Sequence, residues 1–207
     1  GERAANLHAM ANVYVTRGDL EPALKLYQES LAIKDKLGDI QGRSRTLHQM
    51  ANVYVTRGDL EPALKLYQES LALRRKEVER LSAGRVGYLH IAGMGAGNLD
   101  TFERDLYAVA HDKDALIIDV RDNGGGWITD LLLASLMAPD HATTVGRDGK
   151  PGYPQDRRIF YAWTRPIVVL CDENSYSNAE IFSQAVKTLG RGPVVGRTTY
   201  GAVISTG

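Results

Sequence analysis

The 207-residue sequence predicts an all-helical repeat domain over residues 1–80 joined to an α/β domain over residues 84–207. Three observations carry this. Residues 11–32, ANVYVTRGDLEPALKLYQESLA, recur without a change at 51–72, an offset of 40 residues. From about residue 83 the composition shifts, so that 16 of the 21 glycines lie in the last 125 residues. Beyond that point short β-branched runs alternate with helical patterns, which argues a layered α/β structure.

Each repeat reads as two helices. Leu7, His8 and Met10 recur as Leu47, His48 and Met50, so the unit begins before the identical block. Leu7, Met10, Ala11 and Tyr14 fall on one helical face, and Arg17-Gly18-Asp19 ends that helix. Leu20, Ala23, Leu24, Tyr27 and Leu31 form the stripe of the second helix, with Asp19 as N-cap and Pro22 tolerated in the first turn. A helix leaving the second repeat is expected to make the junction at Leu81-Ser82-Ala83. Arg74, Arg75, Lys76 and Arg80 near its end suit the helix dipole.

In the second half, strands are expected at Val86 to Ile91, Ala115 to Val120, Arg158 to Ala162, Pro166 to Cys171, Pro193 to Val195 and Ala202 to Ser205. Helices are expected near 100–111, 127–138 and 177–189. The apolar runs LIIDV and IVVLC read as strands buried on both faces.

Composition excludes several classes. With 43% hydrophobic and 24% charged residues the chain is globular, not disordered. Lys+Arg and Asp+Glu balance at 25 each, and neither half has the basic excess of a nucleic-acid binder. Cys171 has no partner for an intrachain disulfide, and no apolar run approaches the ~20 residues of a membrane span. A cytoplasmic protein with no membrane association is the expectation. Because the sequence starts at Gly1 without a Met, removal of a leader or an upstream domain is expected as well.

Two segments can carry chemistry. In Asp119-Val120-Arg121-Asp122-Asn123-Gly124-Gly125-Gly126 a strand runs into three glycines and a helix opening at Trp127, baring amides that suit an oxyanion or anion. The alternative is a tight strand-to-helix turn. No Gly-Lys-Ser/Thr or dinucleotide fingerprint is present, so no nucleotide cofactor is expected. In Cys171 to Phe182 a buried strand leads through a polar loop to a helix with Ser177 at its start. Ser177 reads either as a nucleophile, with the Asn178 amide as oxyanion donor, or as the cap of a Ser177/Glu180 capping box.

Met10-Ala11-Asn12-Val13-Tyr14, Gly18-Asp19, Ala23 and Tyr27 resemble the packing positions of tetratricopeptide repeats. The resemblance implies stacked antiparallel helix pairs lining a concave, peptide-binding groove. By that pattern His8, Asn12, Thr16, His48, Asn52 and Thr56 would face a partner; the alternative is that they are solvated polar positions. Two repeats are fewer than the ~3 usual for a self-standing array, so a cap or a neighbour is expected.

Residues 84–207 resemble the catalytic core of the tricorn and C-terminal-processing (tail-specific) serine peptidases. The match runs through Gly84 to Ile91, Leu116 to Arg121 with Asn123 to Gly126, Ser177 to Phe182, and Gly196-Arg197-Thr198-Thr199-Tyr200-Gly201. It implies the β-β-α spiral shared with Clp-type proteases and crotonases, Ser177 as acylating nucleophile, and the amides of Asn178 and of Gly125 or Gly124 as oxyanion donors. Protein or peptide substrates and homo-oligomers are expected with it.

The base is where the sequence departs from this pattern. The tail-specific branch places a lysine after Thr-Tyr/Phe-Gly, but here Thr199-Tyr200-Gly201 is followed by Ala202. The tricorn branch uses a histidine from an upstream segment and a late glutamate, and the helical repeats stand where its PDZ domain would lie. The local histidines His8, His48, His90, His111 and His141 each read first as ordinary core, cap or surface residues, and the loop-borne His141 is the one among them best placed to substitute as base. Cys171 reads as a buried strand residue, and no Cys/His cluster has metal spacing. The expected function is a serine-type peptidase, incomplete as residues 1–207. The alternative is a non-catalytic adaptor with a degenerate peptidase-like domain.

Overall fold

The computed structural model describes residues 1–139, 145–150 and 162–203. The chain divides into two compact units, Gly1–Leu81 and Ser82–Gly207. Among the described residues no helix is long and apolar enough to cross a membrane.

The first unit is four helices: α1 (Glu2–Arg17), α2 (Leu20–Leu37), α3 (Ile40–Arg57) and α4 (Leu60–Leu81). Gly18, Gly38 and Gly58 end the first three in left-handed caps, each closed by backbone hydrogen bonds to the last turn. Asp19 occupies the cap position of α2, but its side chain makes no capping bond there and instead pairs with Arg17 at 3.3 Å. Ala11, Ala23, Leu24, Tyr27, Met50 and Val53 form the apolar core, where the alanines let the helices approach. Ser30 Oγ donates to Ala4 O, and in the second repeat Ser70 Oγ to Ser44 O, each at 2.7 Å.

Packing corrects the groove assignment of two residues. His8 and His48 are buried, at 7% and 5% exposure. The Tyr27 and Tyr67 rings lie 5.2 and 5.0 Å from them, and Thr46 Oγ1 of α3 comes within 3.1 Å of His8 Nδ1. The same hydroxyl accepts from the buried Lys34 Nζ at 2.7 Å, and burial pushes the Lys34 ammonium below its ordinary pKa. Asn12 and Asn52 accept from the Tyr27 and Tyr67 hydroxyls, and Thr16 and Thr56 bond back to the carbonyls four residues earlier. Helical periodicity places a residue on a face; it does not say which neighbouring helix covers that face.

The second unit follows the order β1 (Val86–His90), α5 (Ala96–Ala110), β2 (Ala115–Asp119), α6 (Thr129–Met137), β3 (Ile167–Cys171), α7 (Asn178–Thr188), β4 (Val194–Gly196). The four strands form one parallel sheet in the order β1-β2-β3-β4, with Leu116 beside Gly87 and Ile167, and Val169 beside Val194. Parallel neighbours need crossovers, and α5 and α7 supply two of them. Leu116, Ile118, Val169, Phe102, Leu132 and Phe182 lie in the buried core. IVVLC alternates buried and half-buried positions rather than being covered throughout. The expected strand at Arg158 to Ala162 falls, but for Ala162, outside the described residues, as do Ile204, Ser205 and His141. Ala202 and Val203 are irregular.

Candidate active site

Two loops meet at the C-terminal ends of the neighbouring strands β2 and β3, where open α/β sheets gather their ligands. Tyr176 N donates to Asn123 O at 2.9 Å, and Ser175 Oγ donates to Val120 O at 2.8 Å. Beneath them lies Asp119, wholly buried. Its carboxylate accepts from Arg121 Nε and Nη2 at 2.8 and 2.6 Å, from the Arg121 amide at 3.0 Å, and from the Tyr88 hydroxyl. Hydrogen bonding to Asp119 holds the guanidinium pKa above its ordinary value, against the opposing desolvation.

The glycine run is shaped by close approach. Gly125 has φ +85°, and a Cβ there would stand 2.7 Å from Ser177 Cβ and 2.8 Å from Tyr176 O. Gly126 has φ +146°, and its Cβ would meet Met94 O at 2.2 Å. Only glycine fits either position. Met94 N donates to Gly125 O at 2.9 Å and Trp127 N to Met94 O at 2.8 Å, so the run pairs with residue 94 before any helix begins. Helix α6 therefore opens at Thr129, not Trp127. Its N-terminus is closed by the Asn178 side chain, whose Oδ1 accepts from Thr129 N at 3.0 Å.

Ser177 has φ +52° and ψ −115°, a backbone conformation that non-glycine residues rarely adopt and that concentrates at functional sites. Helix N-caps ordinarily sit in the β region. In this twisted conformation the hydroxyl makes no capping bond to α7, and no hydrogen bond from it occurs among the described residues. The glutamate arm of the expected capping box forms: Glu180 Oε2 accepts from Ser177 N at 2.8 Å.

The oxyanion assignment needs one correction. The Gly125 amide donates to Asn123 Oδ1 at 2.9 Å, so it is already engaged. The amides of Asn178, Gly124 and Gly126 have no acceptor among the described residues. Asn178 thus caps α6 with its side chain while leaving its own amide available beside Ser177.

Glu180 is the residue whose importance the sequence concealed. Its buried carboxylate also accepts from Gly201 N at 2.6 Å and Ala202 N at 3.1 Å, tying the segment after Tyr200 to the serine turn. Burial alone would raise its pKa, but bonds from Gly201, Thr199, Ser177 and Ala202 outweigh it and hold the carboxyl below its ordinary value. A folded-state pKa below the unfolded one gives stability that is complete above the unfolded value and disappears as pH falls through the folded one. Glu180→Ala is expected to cost about 2–3 kcal/mol at neutral pH, because three amides lose their acceptor. The deficit should shrink as pH falls through the lowered folded-state pKa, because the wild-type carboxylate is then itself protonated. Urea unfolding followed by tryptophan fluorescence checks both, since Trp127 and Trp163 both belong to the second unit.

Among the described residues no histidine or lysine nitrogen is hydrogen-bonded to the Ser177 hydroxyl. His90 lies half-buried in β1, level with Asp119 across the sheet, and His111, 79% exposed, pairs with Asp112 at 2.8 Å. Cys171 is buried, and burial raises its thiol pKa, which leaves it protonated and unreactive. An open groove of about 1160 Å³ runs between α7 and residues 192–203, bordered by Glu180 and Thr199 but not by Ser177.

A strained serine between a parallel strand and a helix, beside unengaged backbone amides, sits at the strand ends of a parallel-sheet α/β domain. The chain belongs to peptidase family S41, which it matches over residues 85–206, and it carries tetratricopeptide repeats over residues 2–76. It is 39% identical over 132 residues to tricorn protease homolog 1 of Streptomyces coelicolor, covering 63% of this chain and 12% of that protein. To the tricorn protease of Thermoplasma acidophilum it is 34% identical over 131 residues, and to the tail-specific protease of Haemophilus influenzae 27% over 127, covering 63% and 59% of this chain and 12% and 18% of those proteins. The crystal structure of the tricorn protease superposes on 70% of this chain and 14% of its own with a TM-score of 0.59 at 31% identity. The chain therefore spans about an eighth of the length of the tricorn relatives named here.

Proposed function

We propose that residues 84–207 are the nucleophile-bearing core of a serine peptidase in which Ser177 attacks the scissile carbonyl. The Asn178 amide, with that of Gly124 or Gly126, stabilises the oxyanion. The observation that carries this reading is the strained turn at Ser177, which sets its Cβ against Gly125. Protein or peptide substrates follow from the relatives, which are proteases. The repeats recruit a protein or peptide through Asn12, Thr16, Asn52 and Thr56, His8 and His48 having been withdrawn into the interior. The general base comes from outside the described residues, from His141, from sequence beyond residues 1–207 or from a neighbouring subunit.

One observation favours a second reading, a non-catalytic adaptor. At the position where a tail-specific lysine would stand, Ala202 is held by its amide on Glu180 as structural backbone. A fluorophosphonate probe separates the two. Labelling that vanishes in Ser177→Ala is the expected result. No labelling of the wild-type protein, even with its natural flanking sequence, would leave the adaptor.

A further inference from the structure

An oxyanion site whose donors lie on two segments works only if those segments keep their spacing. Here the donors come from the glycine run and from Asn178, far apart along the chain. Asn123 is bonded to both segments. Its carbonyl accepts from Tyr176 N at 2.9 Å, and its Oδ1 accepts from Gly125 N at 2.9 Å. A third bond reaches the first strand of the sheet: Nδ2 donates to Ile91 O at 2.7 Å, where the chain leaves β1. The residue is 0% exposed, inside its own unit. Its bond to Gly125 is the turn from side chain to the amide two residues on that asparagine favours. That turn commits the Gly125 N–H inward while Gly125 O accepts from Met94 N. The amides left without an acceptor among the described residues, Gly124 and Gly126, are the two on either side of it.

We propose that Asn123 is a positioning residue of the oxyanion site, holding the amide of Gly124 or Gly126 in register with that of Asn178 through its bonds to Gly125, Tyr176 and Ile91. This rests on the peptidase reading of Ser177 given above. Asn123 touches no substrate; it acts on rate because a donor displaced by about 1 Å loses much of its hold on a developing charge. The neutrality of the side chain matters as well. Aspartate would keep the acceptor for Gly125 N, but once ionised it has no proton for Ile91 O. It would also set a buried negative charge beside the point where negative charge develops in the transition state.

Fluorophosphonate labelling of the chain with its natural flanking sequence tests this, read as a maximal rate and a half-saturating probe concentration. Asn123→Ala should lower the maximal rate about 10- to 100-fold and leave the half-saturating concentration nearly unchanged. Asn123→Asp separates positioning from mere support of the fold. Protonated, its side chain donates to Ile91 O and accepts from Gly125 N as asparagine does, and burial raises the pKa at which this ends. The ratio of its rate to the wild-type rate cancels the titrations common to both proteins. That ratio should approach unity at acid pH and fall by more than about tenfold as pH rises, at pH values where tryptophan fluorescence shows both proteins folded. A ratio that does not change with pH, or Asn123→Ala labelling at the wild-type rate, overturns the proposal and leaves Ser177 as nucleophile. If Asn123→Ala does not fold, the ratio for Asn123→Asp decides alone. No labelling of the wild-type protein removes the peptidase reading and this inference with it.

Discussion

Asp119→Ala is expected to destabilise the second unit by about 3 kcal/mol, the low end for breaking a buried ion pair. The low end applies because the Arg121 side chain is 38% exposed and can turn toward water once its partner is gone, whereas Asp119 itself is 0% exposed. The Tyr88 hydroxyl also loses its acceptor in the interior. The loss reaches the site through the Arg121 amide, whose 3.0 Å bond to Asp119 fixes the strand end from which the glycine run departs. Urea midpoints followed by tryptophan fluorescence should fall strongly, and any fluorophosphonate labelling of Ser177 should slow at denaturant concentrations where the unit is still folded. A shift below ~1 kcal/mol would mean that the ion pair is dispensable.

Residues 1–207 alone are expected to hydrolyse peptides about 10²- to 10⁴-fold more slowly than a form in which a base reaches Ser177, the usual contribution of general-base catalysis. A serine hydroxyl is scarcely ionised at neutral pH, so an oxyanion site without a base polarises the carbonyl but leaves the nucleophile weak. Peptidase assays on this chain, on His141→Ala and on a chain extended at both ends distinguish the sources. Robust turnover by residues 1–207 that survives in the extended form at the same rate overturns the incomplete site. If that turnover disappears in His141→Ala, the base is local.

The repeats were legible because duplication is visible without any physics, and the sheet because its strands are short apolar runs bounded by glycines and charges. What escaped the sequence was decided by residues distant along the chain. His8 looked solvent-facing on its own helix and is covered by Thr46, which folds over it from α3. Gly125 looked like a bare amide, but Asn123 turns its side chain back so that Oδ1 accepts the hydrogen bond from it. Ser177 and Glu180 have the spacing of a capping box, but the spacing did not foretell the positive φ of +52° at Ser177, which no ordinary N-cap adopts. Spacing encodes who can reach whom along one helix; it does not encode a backbone twist imposed by a neighbouring loop.

The order of the strands bears on how the second unit is made. Among the described residues the spatial order of the sheet repeats the order of synthesis, so each strand after the first finds its partner already made, and none must be threaded between two others. The growing edge moves from β1 to β4 as translation proceeds. The serine turn comes late in that sequence: its anchor, Ser175 to Val120, closes across 55 residues, and its clamp needs Gly201 and Ala202, which follow it along the chain. The first three strands thus precede the serine turn along the chain, whereas β4 and the Glu180 clamp follow it within a few residues of each other, so the turn takes its final shape only once the sheet's last described strand has emerged.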